Sequence, residues 1–137
     1  MDDYDKYLLN KYEKIELDEQ RWESVEVEDA EVVLVSYGIS SRVCTEAVEV
    51  ARAQGIKLGL IRPITLWPFP INAFKELSSN CKALMTVEMN ILGQMVDDVL
   101  LVTKNRYPVY AYATVKEVPE TYIIIEKVKD LLAGKEV

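Results

Sequence analysis

Short apolar runs typical of buried strands alternate with helical patterns along most of this chain, and this alternation constrains its fold more than any other feature. The run Val32–Val35 contains only β-branched and aliphatic residues, as expected of a strand covered on both faces. Gly38 follows this strand, and Val43 and Ala47 then keep helical spacing until Gly55 ends the helix. The pattern predicts a strand followed by a helix, which is the repeating unit of a parallel sheet.

The same unit recurs three more times. We predict further strands over residues 57–61, 83–87 and 108–115, and further helices over residues 71–79, 92–102 and 119–134. Four strands that alternate with four helices indicate an α/β fold in three layers, with a mostly parallel sheet and helices on both faces. In such folds, ligands and partners bind where the parallel strands end. A chain of 137 residues has the size of one such domain.

Residues 1–30 differ from the rest of the chain in pattern and in charge. They begin with apolar residues at helical spacing and continue with scattered charge, so we predict a helix and a linker before a domain over residues 31–137. Residues 1–31 hold twelve acidic and four basic residues, whereas the remainder holds eleven and twelve. The domain is therefore nearly neutral and lacks the basic surface of a nucleic-acid-binding protein.

Composition excludes several classes of site and location. The chain has no histidine, which removes Cys-His and Ser-His-Asp catalytic groups and most zinc sites. Cys44 and Cys81 lie far apart in apolar patterns and predict buried thiols rather than a disulfide or a metal site. No apolar run has the length of a membrane span, and the acidic beginning differs from a secretory signal. We therefore expect a cytoplasmic chain that binds no metal ion and contacts no membrane.

Three loops follow predicted strands, and the first contains Gly38, Ser40 and Ser41. Serines at the beginning of a helix either cap it or, with its backbone N–H groups, bind an anion such as phosphate. The chain has neither a GxGxxG dinucleotide fingerprint nor a GxxxxGK[ST] phosphate loop. Capping by Ser40 or Ser41 is the expected role, and an anion site is the alternative.

The second loop, Arg62–Pro70, contains three prolines and two large aromatic residues. Proline fixes its own backbone φ angle and restricts the residue before it, so this loop should be stiff. Trp67 and Phe69 then either cover the end of the core or form part of an interface, because aromatic residues serve both roles. Arg62 leaves a buried strand and needs an acidic or carbonyl partner, for which Glu88 is a candidate.

The third loop begins at Glu88 and includes Gly93 and Gln94 at the start of the next helix. A single carboxylate without a second titratable group favours a structural hydrogen-bonding role over acid–base catalysis. Asp97 and Asp98 are adjacent and point in different directions, which predicts a solvated helix face rather than a paired-carboxylate site. We predict no catalytic residue in this chain.

These loops carry a family resemblance. The segments IRPITLWPFP (residues 61–70), VEMN (residues 87–90) and GQ (residues 93–94) occur in this order, and the chain resembles the C-terminal part of the 2-oxoacid:ferredoxin oxidoreductase alpha subunit over about residues 30–135. The resemblance implies a transketolase C-terminal-like fold, which admits an antiparallel strand at one edge. It also implies an enzyme complex that oxidatively decarboxylates a 2-oxoacid, forms an acyl-coenzyme A and passes electrons to ferredoxin.

The resemblance implies a non-catalytic role for this chain within that complex. The complex uses thiamine diphosphate, magnesium and iron–sulfur clusters, whereas this chain has no Gly-Asp-Gly motif and too few cysteines for a four-cysteine cluster, so it should bind none of these alone. Its expected partners are the beta subunit and other domains of the enzyme, with ferredoxin reached through the complex. The residues that should line the interface between domains or subunits are Arg62, Pro63, Thr65, Trp67, Phe69, Glu88, Asn90, Gly93 and Gln94.

Two other functions stay open at this point. One is a free-standing nucleotide-binding or phosphate-binding module that uses the helix beginning near Ser40 and Ser41. The other is a structural domain that forms a homodimer through the aromatic loop and the tyrosine-rich last strand. Pyruvate, 2-oxoglutarate and branched-chain 2-oxoacids all remain possible substrates of the complex.

Overall fold

The computed structural model describes residues 3–18, 20–64, 69–89, 94–115 and 117–134, which form five strands, four α-helices and one 3-10 helix within those ranges. In chain order the elements are α1 (Asp3–Asp18), β1 (Trp22–Val25), β2 (Val32–Ser36), α2 (Ile39–Ala53), β3 (Leu58–Pro63), the 3-10 helix (Ile71–Glu76), β4 (Ala83–Glu88), α3 (Gln94–Thr103), β5 (Val109–Ala113) and α4 (Thr121–Leu132). No helix in the described part of the chain is long and apolar enough to cross a bilayer.

The five strands form one sheet in the order β1-β3-β2-β4-β5. Strands β2 to β5 are parallel, with Val35 level with Ile61 on β3 and with Thr86 on β4. Strand β1 alone runs antiparallel, against β3. The predicted α/β class and mostly parallel sheet are confirmed, and the antiparallel edge strand matches what the family resemblance implied.

Strand β1 lies in a segment that the sequence predicted as a linker. Its four residues include the exposed Glu23 and Ser24, so neither alternation nor an apolar run indicates a strand there. Pairing with β3 creates the strand, with Trp22 level with Pro63. Gly59 on β3 permits the close approach of the following turn, because a Cβ there would lie 2.9 Å from the Glu26 carbonyl oxygen. The division into residues 1–30 and 31–137 stays a prediction.

Helices cover both faces of the sheet, as the three-layer prediction required. On one face α2 and α4 pack over the side chains of Leu34, Leu60 and Met85. On the other face the 3-10 helix and α3 pack over Val33, Val35 and other alternating strand residues. All five residues of β2 are buried, because β2 is the central strand and both of its faces are covered.

The helix predicted over residues 71–79 is a 3-10 helix that ends at Glu76. The backbone of Leu77 is extended, so the helix cannot continue toward residue 79. Phe74 anchors this short helix in the core, 3 % exposed, with its ring 5.9 Å from that of Phe69. Packing of the Phe74 side chain in the core therefore stabilises this helix. The helix is shorter than the sequence pattern predicted.

The two cysteines are buried free thiols, which confirms the sequence prediction. Burial raises the pKa of Cys44 to about 12, although a hydrogen bond with Ser36 acts in the opposite direction. Burial also raises the pKa of Cys81 to about 11, and its thiol donates weakly to the Ala83 carbonyl oxygen at 3.6 Å. Both cysteines are therefore protonated at neutral pH and unreactive.

Candidate functional site

The strand order places a cleft where β2 and β4 end. The chain leaves β2 through α2 toward β3 on one side, whereas β4 lies on the other side of β2. The connections therefore diverge at this point, as at the binding crevice of open α/β sheets. The cleft has a volume of about 170 Å³ and is lined by Tyr37, Gly38, Ile39, Ser40, Glu88 and Met89. We call this end of the parallel strands the carboxyl edge and the opposite end the amino edge.

Glu88 is the last residue of β4, and its side chain is 2 % exposed. Its two carboxylate oxygens accept the Met95 backbone N–H at 2.9 and 3.0 Å. Met95 lies in the first turn of α3, where N–H groups lack partners within the helix and the helix dipole favours a negative charge. The hydrogen-bonding role that the sequence favoured for Glu88 is confirmed, and its role at an interface stays a prediction.

The beginning of α2 differs from the sequence prediction that Ser40 or Ser41 caps it. The cap residue is Gly38, with φ at +65°, and no side chain caps the helix there. The serines lie inside the first turn, and the Ser41 hydroxyl donates back to the Gly38 carbonyl oxygen at 2.6 Å. The capping prediction is wrong because Gly38, with its positive φ, turns the chain into the helix two residues before Ser40 and three before Ser41.

The anion site that Gly38, Ser40 and Ser41 offered as an alternative stays a prediction. Both serines are buried, and Ser40 lines the cleft. The Glu88 carboxylate lines the same cleft and opposes the entry of a negative charge. The geometry therefore suits a neutral or cationic group in the cleft better than a phosphate.

Arg62 pairs with a residue that the sequence did not suggest. Its Nη1 lies 3.0 Å from a Glu23 carboxylate oxygen on β1, and both side chains are about half exposed. The predicted partner Glu88 is wrong because β2 lies between β3, which carries Arg62, and β4, which carries Glu88. Only the strand order, which the sequence does not state, places Glu23 level with Arg62.

The stiff second loop is described only at its ends. Pro63 is buried at the end of β3, and Phe69 is half-buried with its ring stacked on Phe74 at an interplanar angle of 22°. Phe69 therefore covers the core, which is one of its two predicted roles. The predicted interface residues Thr65, Trp67, Asn90 and Gly93 lie outside the described residues, as does the side chain of Gln94.

Three exposed apolar side chains at the carboxyl edge were missed by sequence reasoning. Ile39, Ile64 and Met89 follow β2, β3 and β4, and they are 61 %, 53 % and 42 % exposed. Each comes within three residues of a strand end, and that position is the signal that could have found them. In the described part of the chain no group of three metal-ligating side chains occurs. The described residues of this edge therefore offer apolar contact area.

Comparison with known proteins agrees with this arrangement. Residues 30–128 match the family described as pyruvate:ferredoxin oxidoreductase core domain II. The ketoisovalerate oxidoreductase subunit VorB of Methanothermobacter marburgensis is 50 % identical over 99 residues, which cover 72 % of this chain and 28 % of that protein. The 2-oxoglutarate synthase subunit KorA of the same organism is 38 % identical over 92 residues, covering 67 % of this chain and 23 % of that protein.

Two solved structures share the fold. A 2-oxoglutarate:ferredoxin oxidoreductase from Magnetococcus marinus superimposes with a TM-score of 0.76 at 23 % identity, over 94 % of this chain and 23 % of that chain. A split-gene transketolase superimposes with a TM-score of 0.67 at 22 % identity, over 85 % and 42 %. The chain spans only about a quarter of the curated relatives it matches. On its sequence and its fold, it belongs to the pyruvate:ferredoxin oxidoreductase core domain II family, with the transketolase C-terminal-like fold.

Proposed function

We propose that this chain is a non-catalytic domain of a thiamine diphosphate-dependent 2-oxoacid:ferredoxin oxidoreductase and acts through contacts at its carboxyl edge. The observation that carries the proposal is the exposure of Ile39, Ile64 and Met89, each of which follows a different parallel strand within three residues. The buried carboxylate beside them, Glu88, accepts a backbone N–H, which is a structural task. An apolar edge held by a structural carboxylate fits a protein interface.

The cofactors of such a complex belong to its other parts. Iron–sulfur clusters are held by four cysteine thiolates, whereas Cys44 and Cys81 are buried thiols with raised pKa. The sequence has no Gly-Asp-Gly segment for magnesium and diphosphate. The residues present therefore do not fit thiamine diphosphate, magnesium or a cluster, and we derive no catalytic step from this chain.

The partners in this proposal are the beta subunit and the neighbouring domains of the oxidoreductase in the cytoplasm, with ferredoxin reached through the complex. Residues 1–30 then connect the preceding domain to the domain over residues 31–137. The interface comprises the segments after β2, β3 and β4, with the exposed Ile39, Ile64 and Met89. The other proposed contact residues are Arg62, Pro63, Thr65, Trp67, Phe69, Glu88, Asn90, Gly93 and Gln94. Within this set, Glu88 accepts the Met95 backbone N–H and so orients the beginning of α3.

We further propose a branched-chain 2-oxoacid as the substrate of the whole enzyme. The support is the higher identity to the ketoisovalerate oxidoreductase subunit, 50 %, than to the 2-oxoglutarate synthase subunit, 38 %. Ferredoxin reduction by the purified complex should then be faster with 2-oxoisovalerate than with 2-oxoglutarate or pyruvate. A preference for either of the other two acids would contradict this part of the proposal alone.

Co-purification of this chain with the other subunits tests the interface. Ile39→Glu places a charge on the exposed apolar edge, where burial by a partner would desolvate it. It should reduce the amount of co-purified partner at least tenfold. Val50→Glu is the matched control, because Val50 is an exposed apolar residue near the other end of the same helix α2. Equal recovery of the partner with both variants would refute the proposed surface.

A thermal-shift measurement separates this proposal from the alternative of a free-standing nucleotide-binding or phosphate-binding module. A ligand that binds only the folded chain raises its melting temperature. Thiamine diphosphate, coenzyme A and common nucleotides should each leave the melting temperature of the isolated chain unchanged. A clear rise that Ser40→Ala abolishes would instead support binding at the start of α2.

A further inference from the structure

Strand β5 forms an open edge of the sheet, and two hydrogen bonds show which of its groups face outward. The Leu84 N–H donates to the Pro108 carbonyl, and the Thr114 N–H donates to the Glu88 carbonyl, each at 2.9 Å. In a pair of parallel strands, every second residue directs both its N–H and its C=O toward the neighbouring strand. The residues between them direct these groups away from that strand. The N–H and C=O groups of Val109, Ala111 and Ala113 therefore point away from β4. None of the described strands pairs with that side of β5.

The two edge strands of the sheet differ in charge. Strand β1 carries Glu23, paired with Arg62 of β3, and charged side chains on an edge hinder pairing with another chain. The segment from Val109 to Val115 has no charged residue, and its small residues Ala111 and Ala113 are exposed. Strand β5 itself, Val109–Ala113, is uncharged and exposes only these small residues, which makes it a template for a further strand.

The sequence of β5 is nearly symmetric about its central residue, Ala111. When two copies pair antiparallel about a twofold axis at Ala111, Tyr110 lies opposite the second copy's Tyr112 and Val109 lies opposite its Ala113. Tyr110 and Tyr112 both face the α2 and α4 side of the sheet, so the paired rings fall on one continuous face. Cross-strand aromatic pairs stabilise antiparallel strands, and no like charges meet.

We propose that β5 pairs antiparallel with β5 of a second copy of this chain, which joins two five-stranded sheets into one. The interface is isologous, with roughly six main-chain hydrogen bonds from Val109, Ala111 and Ala113 of each copy. Val115 and Val118, both exposed, follow the end of β5. Leu101, 76 % exposed, lies on α3, which packs against β5. The side of β5 that faces away from β4 meets the carboxyl edge where β5 ends, near Val115.

Disulfide cross-linking tests the predicted register. Ala111 and its symmetry mate form a hydrogen-bonded pair with Cα atoms about 5.5 Å apart, within the range that a disulfide spans. Ala111→Cys in the 137-residue chain should form a covalent dimer under mild oxidation. The native cysteines do not compete, because both are buried. Ala53→Cys is the control, because Ala53 is exposed at the end of α2, and equal cross-linking of both variants would overturn the register.

Sedimentation tests the dimer itself. The purified chain should sediment with twice the mass of 15.7 kDa, and Ala111→Glu should return it to the monomer mass by placing two like charges together at the axis. Ala53→Glu should remain a dimer, and circular dichroism should show all three proteins folded. A monomeric native chain, or a dimer that survives Ala111→Glu, would overturn the proposal.

Discussion

At the amino edge of the sheet, charged and polar groups pair closely with one another, whereas the carboxyl edge carries exposed apolar side chains. The Arg52 guanidinium of α2 donates to both Asp29 carboxylate oxygens, at 2.8 and 3.0 Å, and to the carbonyl oxygens of Leu58 and Glu26. These bonds join the end of α2, the beginning of β3 and the turn between β1 and β2. The hydrogen bond with Arg52 also holds the pKa of Asp29 below its usual range.

Among the residues that the structure describes, the carboxyl edge carries the bond from Met95 to Glu88 and the bond from the Ser36 hydroxyl to the Val87 carbonyl oxygen. It also presents Ile39, Ile64 and Met89 to solvent. Its ion pair, Arg62 with Glu23, is about half exposed and contributes little to stability. The difference teaches that the two ends of one sheet serve separate tasks. The amino edge stabilises the fold, and the carboxyl edge is the surface that we propose contacts other parts of the enzyme.

The largest expected difference between the two edges concerns their glycines. In Gly59→Ala the new Cβ meets main-chain oxygens of Glu26 and Val25 at 2.9 and 3.2 Å, so the backbone must shift. We expect a loss of about 3 kcal/mol in the free energy of unfolding. Gly38→Ala at the carboxyl edge meets nothing within 4 Å, but the positive φ of Gly38 with a ψ of −142° suits glycine almost alone and costs about 2 kcal/mol. Urea unfolding of both variants checks the order, and equal losses would contradict it.

The next effect concerns the buried carboxylate of the carboxyl edge. Glu88→Ala leaves the buried N–H of Met95 without its acceptor, and we expect a loss of about 2 kcal/mol in the free energy of unfolding. Glu88→Gln keeps a carbonyl oxygen at the site and should recover about half of this loss. Hydrogen exchange of the Met95 amide should become faster in Glu88→Ala. Unchanged exchange would show that α3 begins independently of Glu88.

Replacing one arginine at each edge compares how much the two edges contribute to the free energy of unfolding. Arg52→Ala breaks two hydrogen bonds to main-chain carbonyls in addition to the exposed pair with Asp29, so we expect a loss of about 1 to 2 kcal/mol. Arg62→Ala breaks one exposed ion pair and should cost about 0.5 kcal/mol or less. Urea midpoints of the two variants give the comparison directly. A larger loss of stability for Arg62→Ala than for Arg52→Ala would contradict the conclusion that the amino edge stabilises the fold more than the carboxyl edge does.

A smaller effect depends on pH. Burial raises the pKa of Cys44 to about 12 in the folded chain, from an unfolded value near 9. Above pH 9 the unfolded chain therefore loses this proton while the folded chain keeps it, so stability falls as pH rises from 9 toward 12. The loss attributable to Cys44 is about 1 kcal/mol at pH 10. Cys44→Ala should show a correspondingly flatter decline in urea midpoint between pH 8 and pH 10, and an identical decline would contradict the assignment.

Much of the fold could be predicted because its strands and helices have strong local patterns. Residues 83–87 were predicted as a strand and β4 covers Ala83–Glu88, since a strand buried on both faces is apolar at every position. The last helix was predicted from residue 119 and begins at Thr121. The site was less predictable. Glu88 was expected to form a structural hydrogen bond, yet its partner Met95 could be identified only once α3 had a position.

The sequence alone determines the order of most strands and helices, the apolar core and the absence of histidine chemistry, because each depends on local pattern or composition. Strand β1, the Arg62–Glu23 pair and the exposed trio at the carboxyl edge follow only from the folded chain. They depend on which strands become neighbours in the sheet. Local sequence patterns do not show this, because the residues that meet lie far apart in the sequence. Sequence patterns therefore predicted the stable body of the domain, and the tertiary arrangement revealed the surfaces through which we propose it acts.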